Sequence, residues 1–506
     1  MSKKISWFPS PCGNGYCDER DRPTTGNSRK SVSIPDPAPW DCISPRERGE
    51  ERPKNFGLVQ ISMGSVRNLT NEELSRAIVR RLRERGFPAW LVGGCVRDLL
   101  LGRIPKDFDV ATSAPPSELL RLFPKAGQVG AHFGVVLVYE GEAQVEVATF
   151  RSEFAYTDGR RPSAVEFETD PRKDVLRRDF TINALLLDPD TNQVLDFVGG
   201  RTDLEARVIR AIGDPVRRFE EDHLRLLRAV RFAARLNFAI EPATFAAMRL
   251  LAPAIRTISI ERVRDEISRI LTEGGARRGF DLLDASGLLR EILPEIEALK
   301  GVEQPPEFHP EGDVWTHTMI MLDGLREPTL ELALGVLLHD VGKPATFRIA
   351  DRIRFDGHVE KGVEIAHSLL TRLRFPTAVI EQAEALIANH MRFKDLPQMR
   401  ESKMKRFLRM RGFDEHLELH RLDCSSSHGS LTNYDFAQTK LREVPPEQLR
   451  PTPLVTGHDL IAAGCKPGPA FATALREAED AQLEGRATTK EEALEIALKK
   501  FYSTTR

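Results

Sequence analysis

Apolar positions along the chain change their period about 200 residues in. Residues 1–62 are rich in Pro, Ser, Arg and Asp and hold no sustained apolar period, so a disordered extension is expected to about residue 65. A helical period follows over 71–86, with Thr70 or Asn71 able to cap and Glu72 and Glu73 in the first turn. Translation starting at or near Met63, just ahead of this helix, fits the same pattern. From 66 to 205 the pattern is mixed. The segments AWLVGG, DFDVAT, HFGVVLVYEG, AQVEVATF, AVEFET, TINALLLDP and QVLDFVGG are β-branched or alternating and read as strands, with helical pieces such as PSELLRLF between them. Beyond 205 helical periods take over, in EEDHLRLLRAVRFAARLNF, PATFAAMRLLAPAI, ERVRDEISRILTE and RRGFDLLDASGLLREILPEI. The Pro-rich GVEQPPEFHP (301–310) reads as a linker, and VPPEQLRPTPLV as a second break. The expected class is α+β: an extension (1–65), a mixed-sheet head (66–205), a helical neck (206–300), a helical block (305–442) and a small helical tail (450–506).

Composition narrows this only a little. At 506 residues the chain is too long for one core. It is 41% hydrophobic and 29% charged with a formal net charge of −2, so any case for nucleic acid rests on local clustering. No apolar run approaches the roughly 20 residues that span a bilayer, and MSKKISWFPSPCGNGYC lacks the apolar core of a signal peptide. A cytoplasmic protein without membrane contact is expected. Of six cysteines, Cys12, Cys17 and Cys42 fall in the first 62 residues, without the second pair a zinc finger needs. Cys95 reads as a small buried filler.

Chemistry concentrates first in LVGGCVRDLLLGRIPKDFDVAT (91–112). Asp107 and Asp109, two apart in a strand-like segment, project from one face and suit hard divalent cations that also bind triphosphate. Two such ions activate an attacking hydroxyl and stabilise a leaving pyrophosphate. Gly93 and Gly94 close a strand with bare backbone, where N–H groups can approach phosphate oxygens, and Arg97 and Lys106 add positive charge. Glu146 alternates with Val145 and Val147 and so points away from the apolar face, as a third acid or as a solvated strand residue.

These motifs resemble, in order, the class II tRNA nucleotidyltransferase and poly(A) polymerase family, over roughly 66–300. GGCVRD followed by DFDVAT resembles its opening motif on a polymerase-β-type nucleotidyltransferase head, and VEVATFRSEFAYTDGRRP its third-carboxylate strand and flexible loop. LRRDFTINAL (176–185) resembles the sugar-recognition motif, DFVGGRTDLEARVIRAIGDP the head-to-neck hinge, EEDHLRLLRAVRFAARL the template helix, and ERVRDEISRIL the next neck motif. The resemblance implies Asp107, Asp109 and Glu146 as catalytic carboxylates with Mg²⁺, and Arg177, Arg178, Asp179 and Asn183 near ribose and triphosphate. Asp222 and Arg225, three apart on a helix, would share a face. Their carboxylate and guanidinium match the amine and ring nitrogen of C and A, and leave unpaired polar groups against G and U, at about 1–3 kcal/mol each. Glu221 is an alternative source of the carboxylate. Arg225, Arg228 and Arg235, with Arg231 close by, form either a salt-bridged face or a phosphate track for RNA. The implied partners are tRNA, CTP and ATP. Bacterial poly(A) polymerases carry two basic residues where this chain has QVGAHFGVVLV, which favours CCA addition over that close alternative. The full-length loop between Thr149 and Pro162 counts against C-only addition, while an A-only enzyme stays open.

The second helical block carries ELALGVLLHDVGKP, where His339 and Asp340 end an apolar helix. With His317, His358, His390 and Asp423 the order is H…HD…H…H…D, and over about 305–440 this resembles the HD phosphohydrolase family. The resemblance implies an all-helical HD domain with His317, His339, Asp340 and Asp423 around a divalent metal (Mg²⁺, Mn²⁺, Ni²⁺ or Co²⁺). His358 and His390 complete a second site, and Lys343 steadies a phosphate. His367, His416, His420 and His428 are assigned to structure. A protein that chiefly binds RNA, with an HD site hydrolysing free nucleotides, is the alternative of a different class. Oligomeric state stays open.

Overall fold

Thr70 opens the first described helix, Asn71–Glu84, through a capping box: its hydroxyl accepts the N–H of Glu73, whose carboxylate accepts the N–H of Thr70. Such a cap stabilises a helix end by about 1 kcal/mol. The computed structural model describes residues 69–128, 134–156 and 162–504, and the side chains of 153–156 and 162–165 are not among those described. The expected extension 1–65, the start at Met63, Cys12, Cys17 and Cys42 lie outside the described residues. So do 129–133 of the QVGAHFGVVLV stretch and 157–161 of the loop after Thr149.

The apolar face of this helix (Leu74, Ile78, Val79, Leu82) is buried in the head core. The head sheet contains β1 (Ala89–Val92), β2 (Asp109–Thr112), β3 (Ala126–Gln128), β4 (Val135–Glu140), β5 (Ala143–Thr149), β8 (Leu186–Leu187) and β9 (Val194–Leu195), in the order β3-β4-β5-β2-β1-β8-β9. β2 and β5 run parallel, and the neighbouring pairs β1–β2, β4–β5 and β1–β8 are antiparallel. In β5 the residues Ala143, Val145, Val147 and Thr149 are buried while Gln144 and Glu146 are exposed, the two-residue period of a half-buried strand.

Several expected strands differ. AVEFET forms β7 (Pro162–Phe167), which pairs with β6 (Arg151–Tyr156) in a separate hairpin and not in the main sheet. In TINALLLDP only two residues are strand. Thr181–Asn183 is a 3₁₀ turn, and there Asp179 accepts the N–H of Phe180 and the Asn183 amide, local bonds that compete with a ladder. QVLDFVGG stops being strand at Leu195, because the Asp196 carboxylate gathers the N–H groups of Val198, Gly200 and Arg201 and turns the chain. β2 begins at Asp109, leaving Asp107 in the bend before it. EEDHLRLLRAVRFAARL is two helices, Pro215–Glu221 and Leu224–Leu236, broken at an extended Asp222 whose carboxylate accepts the N–H of Leu224.

One apolar cluster runs from Leu74 in the head through Phe232, Ile267 and Leu283 to Leu334, Leu386 and Leu422. Arg264 donates to the carbonyl of Arg374, Arg374 pairs with Glu261, and Arg372 pairs with Glu295 at 2.8 Å, tying the helix His358–Arg372 to the neck. The HD block is helical apart from a small hairpin, Arg348–Ile349 against Ile353–Arg354. The tail packs its own cluster, Val455 to Phe501, and is joined to the preceding block by Arg400 and Arg406 on Asp480 and Arg409 on Glu479.

Candidate functional site

In the head, β1 and β2 bring the glycine turn and the aspartates together: Val92 lies opposite Asp109, and Gly93 follows at φ +83°. A Cβ on Gly93 would lie 3.5 Å from both Asp109 Oδ2 and Arg178 Nη1, so the bare backbone leaves that space open. The parallel register sets Glu146 beside Asp109. Burial, then Glu146 and Asp107, push the Asp109 carboxyl up to about 6 against the opposing pull of Arg178. Asp107, Glu146 and the neighbouring Lys106 are exposed. A cluster of acids short of positive charge is the donor set that a hard divalent cation fits.

The other predicted head residues form the wall beside it. The Asp174 carboxylate, absent from the expected set, holds Arg177 at 2.6 Å and Arg178 at 2.9 Å. Arg97 is almost fully buried, where solvent cannot reach it, and pairs with Asp98 at 2.7 Å and Asn183 Oδ1 at 2.7 Å. Asn183 in turn donates to Asp179 at 3.2 Å, and Asp179 pairs with Arg228 at 2.8 Å. Burial disfavours the Asp179 carboxylate, but Arg228 and Arg225 outweigh it and hold it down at about 2. Gly94 lies 3.6 Å, by its absent Cβ, from Arg97 Nη2. Cys95 is the buried filler expected, with burial pushing its thiol up to about 11.

Arg228, Arg231 and Arg235 do not form a free stripe. Arg228 reaches Glu266 (4.0 Å), Arg231 pairs with Glu266 (2.7 Å) and Glu273 (3.2 Å), and Arg235 pairs with Glu273 and Asp98 (3.6 Å each), closing a circuit back to Arg97. The Phe232 ring lies beneath the guanidiniums of Arg97, Arg228 and Arg231. Of the two readings of this face, the salt-bridged one describes these three. The shared helical face expected of Asp222 and Arg225 is also corrected by the break at Asp222. Asp222 pairs with Arg262 at 2.7 Å, and Arg225 with Glu221 at 2.5 Å and with the carbonyls of Arg218 and Arg177.

The HD block gathers its residues more tightly. The three groups of metal-type ligands that lie within 4.8 Å of one another among the described residues all belong to it: His309–Glu311–His317, His317–His339–Asp340 and Asp340–His358–His390. His339 and His390 sit at the ends of the helices Leu330–Leu338 and Thr377–Asn389, where final carbonyls lack helical partners. Their Nδ1 atoms bond the carbonyls of Val336 (2.9 Å) and Ile387 (2.7 Å), and His358 Nδ1 does the same with Phe355 (2.9 Å). This leaves each Nε2 bare. The buried Nε2 atoms of His317, His339, His358 and His390 have no hydrogen-bond partner, and they converge on Asp340 and Asp423. Bare, convergent imidazole nitrogens beside carboxylates fit a divalent metal. Gly342 is required for this assembly, since a Cβ there would meet the His358 carbonyl at 2.1 Å and the Gly362 nitrogen at 2.6 Å.

Burial disfavours the charged His317, yet Asp423 and Glu311 raise it to about 9, and Asp423 is held below the usual carboxylate range in return. Lys343 bonds Asp340 at 2.7 Å and Gln304 at 2.6 Å and lines a cavity of about 740 Å³ over the cluster, with Phe308, Phe355, Arg352 and Lys394 on its walls. His420 and His428, assigned to structure, also line this cavity, His420 stacked 4.3 Å from Phe393. Gln304, His309 and Glu311 were missed because they sit in or beside the Pro-rich segment read as a linker. The available signal was a histidine and a carboxylate at positions 309 and 311, just ahead of His317.

The fold and these two sites define a nucleotidyltransferase-type head carried on a helical body that contains an HD centre. Family models match in the same order: "Poly A polymerase head domain" over 89–210, "Probable RNA and SrmB- binding site of polymerase A" over 237–300, and "HD domain" over 313–419. The CCA-adding enzyme of Streptococcus pneumoniae serotype 19F is 46% identical over 203 residues, 40% of this chain and 51% of that protein. That of Streptococcus sanguinis is 41% identical over 253 residues, 49% of this chain and 63% of the relative. The matched region spans about half the length of these curated relatives. The crystal structure of the Bacillus stearothermophilus CCA-adding enzyme with CTP superposes with a TM-score of 0.66 at 25% identity, covering 86% of this chain and 99% of that one. A Thermotoga maritima CCA-adding enzyme complexed with tRNA shares the fold at a TM-score of 0.51 and 20% identity. Through its head, its RNA-binding segment and its HD domain, the chain is similar to CCA-adding enzymes and poly(A) polymerases.

Proposed function

We propose that this protein adds CMP and AMP, from CTP and ATP, to the 3′ end of tRNA and releases pyrophosphate, with no nucleic-acid template. The observation that carries this reading is the Asp109–Glu146 register beside the bare Gly93 turn, on a fold shared with a CTP-bound CCA-adding enzyme. In the reaction the terminal 3′ hydroxyl attacks the α-phosphorus of the nucleotide, and the bond to the β-phosphate oxygen breaks. Asp107, Asp109 and Glu146 would hold Mg²⁺, which when bound activates the hydroxyl and neutralises the leaving pyrophosphate. Gly93, Gly94 and Lys106 face the phosphates, with Arg178 beside Asp109. Asp179 and Asn183 offer acceptor and donor to the ribose hydroxyls, oriented from behind by Arg228 and Arg97. Asp222 and Arg225 read the base edge through an amine acceptor and a ring-nitrogen donor. Arg177 supports this reading from the backbone, since its carbonyl accepts from Arg225. A tRNA substrate and nucleoside triphosphate donors put the reaction in the cytoplasm.

The HD centre would bind one or two divalent ions (Mg²⁺, Mn²⁺, Ni²⁺ or Co²⁺) on His317, His339, Asp340, Asp423, His358 and His390. Such an ion supplies hydroxide for hydrolysis of a phosphoester, and Lys343 faces the phosphate. The test for the head uses tRNA lacking its terminal CCA with labelled CTP and ATP, separately and together. CMP incorporation with CTP alone and AMP incorporation only once CTP is present are expected; incorporation of AMP alone would replace the reading with A addition.

A further inference from the structure

Three of the four HD histidines are oriented by a main-chain carbonyl three residues back, which is available because His339 and His390 lie at helix ends and His358 at a helix start. His317 is different. It lies inside the helix Val314–Gly324, where the carbonyl three residues back, that of Val314, already accepts the Thr318 hydroxyl at 2.9 Å as well as serving its helix. An interior histidine of this kind needs a partner from elsewhere. Glu311 provides it: its Oε1 accepts the His317 Nδ1–H at 2.6 Å. The same oxygen accepts from His309 Nδ1 at 2.9 Å, and the His309 ring stands edge-on to His317 at 5.0 Å.

We infer that Glu311 is a positioning residue of the HD centre, completing a carboxylate–histidine–metal relay through His317. This rests on the metal-binding reading of that centre. An ionised carboxylate only accepts, so the bond keeps the proton on Nδ1 and leaves Nε2, 3.2 Å from Asp423, as the donor to a metal. The negative charge also makes that imidazole a stronger ligand. Direct ligation by Glu311 fits less well. Two ligands each about 2.0–2.2 Å from a tetrahedral ion lie roughly 3.4 Å apart, whereas the Glu311–His317 contact of 2.6 Å is a charge-assisted hydrogen bond.

The test titrates Co²⁺ into the metal-free full chain by calorimetry and follows labelled CTP addition on the same samples. Glu311→Ala is expected to weaken Co²⁺ binding by about 10–100-fold, with the number of bound ions and CTP addition unchanged. Glu311→Gln keeps an acceptor oxygen without the charge and is expected to fall between the two. It carries the comparison if the alanine variant does not fold. Wild-type Co²⁺ affinity in Glu311→Ala, or in Glu311→Gln when only that variant folds, overturns the assignment. Loss of one whole equivalent of Co²⁺ does so too, by making Glu311 a ligand. No Co²⁺ binding by the wild-type protein removes the HD metal reading itself, which is a separate failure from either.

Discussion

In the head, Asp107 and Glu146 are exposed and repel Asp109, whose carboxyl is driven by burial and by them to about 6. In the HD centre, Asp340 is buried and Asp423 mostly so, and both stay below the usual carboxylate range despite that burial, because His339 and Lys343, and His317, compensate. The head acids are not among the groups gathered to within 4.8 Å of one another, while those of the HD centre are. A site of the first kind would suit cations that arrive with a phosphate ligand, since Mg²⁺ is commonly bound through one or two carboxylates plus substrate phosphates. A site of the second kind is assembled before its ions come, at the cost of burying several ligands together.

The sharpest way to break this contrast is to remove one centre and read both activities. Asp109→Ala is expected to lower CMP and AMP transfer by roughly a thousandfold or more, the several kcal/mol that metal-assisted charge stabilisation supplies, with hydrolysis of bis-p-nitrophenyl phosphate unchanged. His339→Ala is expected to lower that hydrolysis by roughly a hundredfold or more and leave transfer intact. Parallel loss of both activities in either variant means that the two centres are not chemically separate. A smaller effect tests base choice. Arg225→Ala is expected to cut the preference for CTP over UTP by about 10–100-fold, as one mispaired buried contact costs about 1–3 kcal/mol. Unchanged kcat/KM ratios would remove Arg225 from the base-reading pair.

Stability without metal gives the smallest effects, and here the two centres should differ in sign. At pH 7.5 Asp109 is ionised against its neighbours, so Asp109→Asn is expected to raise Tm by about 1–3 °C. A raised carboxylate pKa imposes its cost fully above about 6, so the gain shrinks below that pH and disappears only well below 3.8, where both states are protonated. Asp423→Asn is expected to lower Tm at pH 7.5, since it removes the negative charge 3.2 Å from His317 Nε2. A depressed carboxylate contributes above its ordinary range and loses that contribution as pH falls, whereas His317, raised to about 9, loses its share as pH rises through that value. Differential scanning calorimetry in chelator across pH 4–9 checks both, and shifts of one sign would abolish the contrast.

Much of the architecture was legible from local pattern. The buried–exposed alternation of β5 puts Glu146 outward, the glycine turn ends β1, and the change to helical periods marks where the sheet domain stops. The break at Asp222 was not legible, because a run of helix formers carries no sign that one carboxylate will cap the next helix and bind Arg262, 40 residues away. Gln304, His309 and Glu311 were hidden by the prolines around them.

By itself the sequence determined which chemistries are present and on which kind of element each lies, since glycine turns, two-residue and 3.6-residue periods and helix ends are local properties of the chain. The tertiary structure decided which charges are free. Arg97 is committed to Asn183 and Arg231 to Glu266, 86 and 35 residues away. His317 acquires Glu311 because a helix interior has no carbonyl to spare for it. Pairing and burial depend on contacts that close only when the core does, and the same residue letters in another packing would present different charges to a ligand.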